Sequence, residues 1–194
     1  MRIATLLVAV SFAVPLAGHA DYKVGDHLAK PGGKAEAHAS FKLTDWDTLI
    51  PKDWDPAKEF KDANFGMMTD ADPRAQVLLL KLQEAWEKAP VVPTLDGARI
   101  RIAGFVVPLE TAKGETSEFL LVPYFGACIH VPPPPANQII HVTAAKPVKG
   151  IHMMDAVWVN GTLRTIRSET RAGMGMASAG YGMAAEAVTA YKGP

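Results

Sequence analysis

The densest run of chemically capable side chains lies in Phe125-Gly126-Ala127-Cys128-Ile129-His130-Val131-Pro132-Pro133-Pro134-Pro135-Ala136-Asn137-Gln138-Ile139-Ile140-His141. It holds the only cysteine of the chain, two histidines and four consecutive prolines. If Cys128 to Val131 is extended, Cys128 and His130 project from one face, and a thiolate and an imidazole could reach one metal ion. Prolines cannot donate hydrogen bonds and hold the backbone extended, so the chain must leave any ladder at Pro132 and return at about Gln138. His141 would then come back on a neighbouring strand as a third ligand. The set Cys128, His130 and His141 would suit zinc or copper. His152, beside Met153 and Met154, is a further nitrogen donor that no spacing rule brings near the others.

Plainer roles compete at each position. A single cysteine in apolar sequence serves equally as a small core side chain, or as a reactive thiol with His130 or His141 as base. Either histidine can simply bond to backbone. The tetraproline could dock an aromatic groove, but its place inside hydrophobic sequence reads as a structural bend.

Elsewhere, Gly173-Met174-Gly175-Met176 and Gly182-Met183 offer thioethers of the kind Cu(I) takes, or gap-filling methionines in a loop. Asp45, Asp47, Asp53 and Asp55 surround Trp46 and Trp54 but match no calcium-loop spacing, and read as loop charges. No Ser-His-Asp pattern, phosphate loop or nucleophile elbow is present, so hydrolase and nucleotide chemistries find no support.

The elements that must carry these residues follow from periodicity. Asp72 can cap a helix with Pro73 at its first position, and Val77, Leu80, Leu82, Ala85 and Trp86 supply apolar positions up to an end near Pro90. Beyond Pro93 the pattern alternates as strands do: Arg99 to Leu109, Phe119 to Tyr124, Gln138 to Thr143 and Ala156 to Leu163, with Gly180 to Tyr191 as a fifth despite its alanines. One helix ahead of short strands divided by Gly and Pro turns predicts a mainly β (α+β) fold. The architecture expected is a small antiparallel β-barrel of the oligonucleotide-binding type with one N-terminal amphipathic helix.

Arg2 followed by the apolar run Ile3–Leu16 and the small residues Ala17-Gly18-His19-Ala20 reads as a signal peptide cleaved after Ala20. Residues 21–40 have the composition of a flexible arm, and 41–194 of a single domain. The expected location is the periplasm, with no stable membrane anchor, since no other run is long enough to span a bilayer. Without Arg2 the chain has 19 basic and 20 acidic residues and no basic cluster, which argues against nucleic acid as a partner. One cysteine also rules out an internal disulfide, so packing alone must hold the domain.

Arg101-Ile102-Ala103-Gly104-Phe105-Val106-Val107-Pro108-Leu109, together with Phe119 to His141 and its Cys-x-His-x-Pro-Pro-Pro-Pro core, resembles a bacterial family of exported proteins known as a domain of unknown function. The resemblance runs from about Phe41 to Tyr191. It implies an envelope or periplasmic protein, with an envelope ABC transporter component as partner in a setting of metal homeostasis. Unlike lipoprotein members of that family, this chain has no anchoring cysteine after the leader. The resulting expectation is a non-enzymatic binding or accessory protein holding zinc or copper, or otherwise no cofactor. A metal-free interaction module for an envelope partner and a thiol enzyme remain as alternatives.

Overall fold

The computed structural model of the protein describes residues 22–29, 40–55, 72–129, 133–172 and 175–192. Eight strands and one α-helix are present among them: β1 (Lys42–Leu43), α1 (Pro73–Glu87), β2 (Arg99–Ala112), β3 (Glu115–Val122), β4 (Ile140–Lys149), β5 (Ala156–Arg164), β6 (Ser168–Ala172), β7 (Gly175–Ala179) and β8 (Tyr181–Ala190).

Strict alternation explains the barrel. Along β2 the residues Ile100, Ile102 and Val106 point one way, and Phe119 and Leu121 of β3, Ile140 and Val142 of β4, and Val157 and Val159 of β5 meet them in one buried cluster. The long β2 pairs with β5 through Arg99–Phe105 and with β3 through Phe105–Ala112, so a single strand serves two neighbours. With β4 antiparallel to β3, and β8 parallel to β4 but antiparallel to β5, the order β2-β3-β4-β8-β5 closes on itself. This is the five-stranded Greek-key barrel of the oligonucleotide-binding type. β1 adds in parallel outside β2.

Closure depends on two inward glycines. A Cβ at Gly161 would lie 2.4 Å from the Ala184 carbonyl oxygen, and one at Gly104 would lie 2.7 Å from the Leu121 side chain and 2.9 Å from the Val122 carbonyl. Only hydrogen at these positions lets the strands approach so closely.

α1 begins as expected, with the Asp72 side chain accepting from the Arg74 N–H and Pro73 at the first position. Its half-buried stripe is Ala75, Leu78, Leu82, Ala85 and Trp86, whereas Val77 and Leu80, expected on the packed face, are more than half exposed. The 3.6-residue period selects Leu78 and Leu82 in a run where several registers of leucine were open. No residue of α1 is fully buried.

Three strands went unanticipated. β1 is only two residues long, β6 precedes the Gly/Met-rich stretch, and its partner β7 lies within that stretch, which composition made look like a loop. Met183, one of the thioethers offered to copper, is a buried side chain of the barrel core. Met174 lies outside the described residues. At the N-terminal side, Tyr22 packs edge-on to Phe105 at 5.0 Å between ring centroids and stacks on Phe125 at 5.9 Å, and His27 forms a β-bridge with Tyr124. Residues 22–29, within the expected arm, thus lie against the barrel. Residues 1–20 and 30–39 lie outside the described residues.

Candidate functional site

The outer surface of β2 and β3 is apolar too, which an ordinary half-solvated strand would not allow. Phe105 and Val107 of β2 and Leu120 and Val122 of β3 point out of the barrel into a second buried cluster. Its other members come from connections: Ala127 and Cys128 after β3, Ile139 before β4, Met154 before β5, and Ala177 and Ala179 of β7. Tyr22, Leu28, Tyr124, Phe125 and Ile129 pack around it. In oligonucleotide-binding barrels the second and third strands and the flanking loops form the ligand face. Here those barrel strands are β3 and β4, and the outward Leu120 and Val122 of β3 are buried in a cluster completed by the chain's own β6–β7 hairpin and the segment that follows β3.

Cys128 sits in a turn of that covering segment. The Ile129 N–H donates to the Gly126 carbonyl at 3.2 Å, and Cys128 adopts φ +65°, in the left-handed region that a non-glycine residue occupies at a cost of about 1–2 kcal/mol. The expected extended stretch from Cys128 is therefore corrected to a tight turn, because packing a small apolar side chain under the hairpin outweighs the backbone preference. Gly126 donates its N–H to the Met154 sulfur at 3.1 Å, and Met154 is itself left-handed at φ +65°. Two strained turns thus meet over the outer core. The Cys128 thiol is free and 4% exposed, and burial pushes its pKa up to about 11. Burial thus disfavours the thiolate, the form a nucleophile needs in its resting environment.

His141 stands on β4 directly opposite Leu120 of β3. Opposed residues of an antiparallel pair share a face, so His141 is on the same outer side as the Cys128 cluster. Its Nδ1 is 3.1 Å from Ser168 Oγ at the start of β6. Nε2 has no hydrogen-bond partner, although the Glu118 carboxylate lies 3.4 Å away, near enough for attraction but outside bonding geometry. The imidazole thereby ties barrel to hairpin. Neither the Ser168 contact nor that of Glu118 was foreseen, since the strand register that aligns them is not visible in sequence.

His130 lies outside the described residues. His152 is solvent-facing beside Asp155, with Nδ1 3.6 Å from its carboxylate. Among the described residues no three His, Cys, Asp or Glu side chains form a group able to hold a metal ion. Asp45, Asp47, Asp53 and Asp55 all have partners within the chain.

The chain after the prolines resumes as expected, with β4 starting at Ile140. Its 3-10 turn Ala136–Gln138 is a hub: Asn137 Nδ2 donates to the Pro90 carbonyl at 3.0 Å, Gln138 Nε2 to that of Trp46 at 3.1 Å, and the Gly180 N–H to that of Ala136 at 2.7 Å. Beside it the buried Tyr181 hydroxyl donates to the Leu49 carbonyl at 2.8 Å and accepts from the Val92 N–H at 2.7 Å. The proline bend therefore delivers a clamp that joins the segments ahead of the barrel to its last strand.

A family model described as a protein of unknown function (DUF3299) matches residues 46–190, a span that includes the whole barrel and the Cys128 turn. Among solved structures, a DUF3299 family protein from Pseudomonas aeruginosa is similar, with 36% sequence identity and a TM-score of 0.57, covering 78% of this chain and 96% of its own. No curated protein matches the sequence.

Proposed function

From the premise that the chain belongs to the DUF3299 family, we propose that it is an exported, non-catalytic interaction module for an envelope partner such as an ABC transporter component. The observation that carries this reading is the second hydrophobic core: Ala127 and Cys128 are buried against one outer face of the barrel, together with Ile139, Met154 and the β7 alanines. A thiol whose pKa is held near 11 also favours structure over catalysis. Export rests on the leader-like first 20 residues, and intact-mass measurement of exported protein should show a chain beginning at Asp21.

A second reading keeps zinc or copper, at Cys128, His130 and His141. It is favoured by the shared outer face of Cys128 and His141 and by the unbonded, buried Nε2 of His141. Metal titration of untagged protein separates the two. The module reading expects zinc and Cu(I) to bind wild type, Cys128→Ser and His141→Ala equally weakly. Tight binding to wild type that both substitutions abolish would replace it with the metal reading.

A further inference from the structure

Three arginines stand on the outer face shared by β2 and β5, and two of them are neutralised within the chain. Arg99 donates to both carboxylate oxygens of Glu186, at 2.7 and 3.1 Å, and Arg164 lies 3.7 Å from the Asp96 carboxylate. Arg101, opposite Asn160 in the same ladder, is in no ion pair among the described residues. Its Nη1 makes a long bond to the buried Asn160 Oδ1 at 3.4 Å, and its Nε is shielded from solvent without a partner. A charge partly withdrawn from water is ordinarily neutralised by an opposite one, and here the chain supplies none. We propose that Arg101 and the Trp158 ring it stacks on form a docking point for an acidic segment of a protein partner, whose Asp or Glu carboxylate meets the guanidinium. This deepens the interaction reading above and rests on it for the partner.

The surroundings hold that guanidinium in place. Its central carbon lies 4.6 Å from the Trp158 ring centroid, and Trp158 in turn packs against Tyr191 with centroids 5.5 Å apart. Stacking occupies the face of the guanidinium and leaves its in-plane N–H donors, whose planar fork matches a carboxylate in a bidentate way. Because Nε is shielded, the carboxylate must approach at the Nη atoms.

Arg101, Trp158 and Tyr191 are each only half-buried, and Trp, Tyr and Arg are the residue types that carry most of the binding energy where proteins meet. A peptide segment can cover the indole and phenol while its carboxylate reaches the charge, which a free inorganic anion cannot do. Asp45 and Asp47 are the opposing influence, since they line a pocket together with Trp158. Both already have partners within the chain.

Calorimetric titration of the full mature chain in chelator at low salt would test this, with an N-acetylated, amidated hexaglutamate peptide, its hexaglutamine counterpart and inorganic phosphate as probes. Chelator removes any metal at Cys128, so failure here leaves the metal titration that tests the interaction reading untouched. The glutamate peptide should bind, and the glutamine peptide and phosphate should not. Arg101→Gln should weaken peptide binding about tenfold, and Arg101→Lys, which keeps the charge but not the fork, several-fold. Arg99→Gln removes the same charge from an arginine already engaged by Glu186, and should leave the affinity within about twofold of wild type. Should Arg101→Gln fail to fold, Arg101→Lys against Arg99→Lys decides. Absence of glutamate-peptide binding, equal binding of the glutamine peptide or phosphate, or equal losses at Arg99 and Arg101 would overturn the proposal.

Discussion

The two hydrophobic cores of this molecule are built by different rules. Inside the barrel, Ile100, Ile102, Phe119, Leu121, Ile140 and Val142 come from regular strands, and alternation alone puts them there. Outside it, Phe105 and Leu120 are still strand residues, but their partners Ala127, Cys128, Ile139 and Met154 come from irregular connections, two of them with left-handed backbone. The inner core therefore defines the fold. The outer one depends on it, and exchanges backbone strain for the covering of the outer faces of β2 and β3.

That dependence sets the largest expected effect. Phe119 is fully buried inside the barrel, and Phe119→Ala should cost about 3–5 kcal/mol through lost transfer energy and the cavity left behind. Chemical denaturation should show both cores lost in one transition. An outer core that stayed cooperative after the inner one melted would break the dependence argued above.

The next effect belongs to the outer core alone. Cys128 has its pKa raised from 9.0 to about 11 by burial, so the protonated thiol is the form the fold favours. The associated stability is fully present below pH 9 and is lost as pH rises through about 11, by about 2–3 kcal/mol. Burial raises Tyr124 and Tyr181 as well, which steepens the same alkaline limb. The comparison to measure is thus wild type against Cys128→Ala. Alkaline loss of stability should be smaller in the variant by that amount, whereas parallel pH profiles would mean the thiol is not buried in a dry core.

The same contrast explains what sequence revealed. The barrel was legible because its strands alternate and are parted by Gly and Pro, and the α1 start because Asp72-Pro73 is a local capping signal. The region around Cys128 was legible only as a place of interest. Whether Cys128 extends or turns is decided by what packs over it, and β7 comes from a run of small residues that carries almost no periodic signal. The pairing of His141 with Ser168 and Glu118 likewise needs strand register, which depends on the bulge between Thr116 and Glu118.

Where barrel meets the preceding segments, a smaller effect is expected. Tyr181→Phe keeps the buried ring but strips the Val92 N–H of its acceptor and the Leu49 carbonyl of its donor. The cost should be about 1–3 kcal/mol, because the stranded groups are shielded from water. Equilibrium denaturation would measure it. A loss below a few tenths of a kcal/mol would mean that the clamp beside Ala136–Gln138 contributes little to holding those segments.

The smallest effect tests how the hairpin is held. Ser168 Oγ and His141 Nδ1 form a polar link between β6 and the barrel, while Ala177 and Ala179 of β7 are buried in the outer core. Neither alanine can bury much area, so the half-buried hydrogen bond adds measurably to the attachment. Ser168→Ala should remove about 0.5–1.5 kcal/mol, and almost all of it should appear as local opening rather than as global destabilisation. Amide exchange across β6 and β7 should then quicken by about fivefold, with amides of β2 and β3 unchanged. Equal acceleration in barrel and hairpin would show the two to be one cooperative unit, and the outer core would have to be counted as part of the fold's foundation instead of a cover laid upon it.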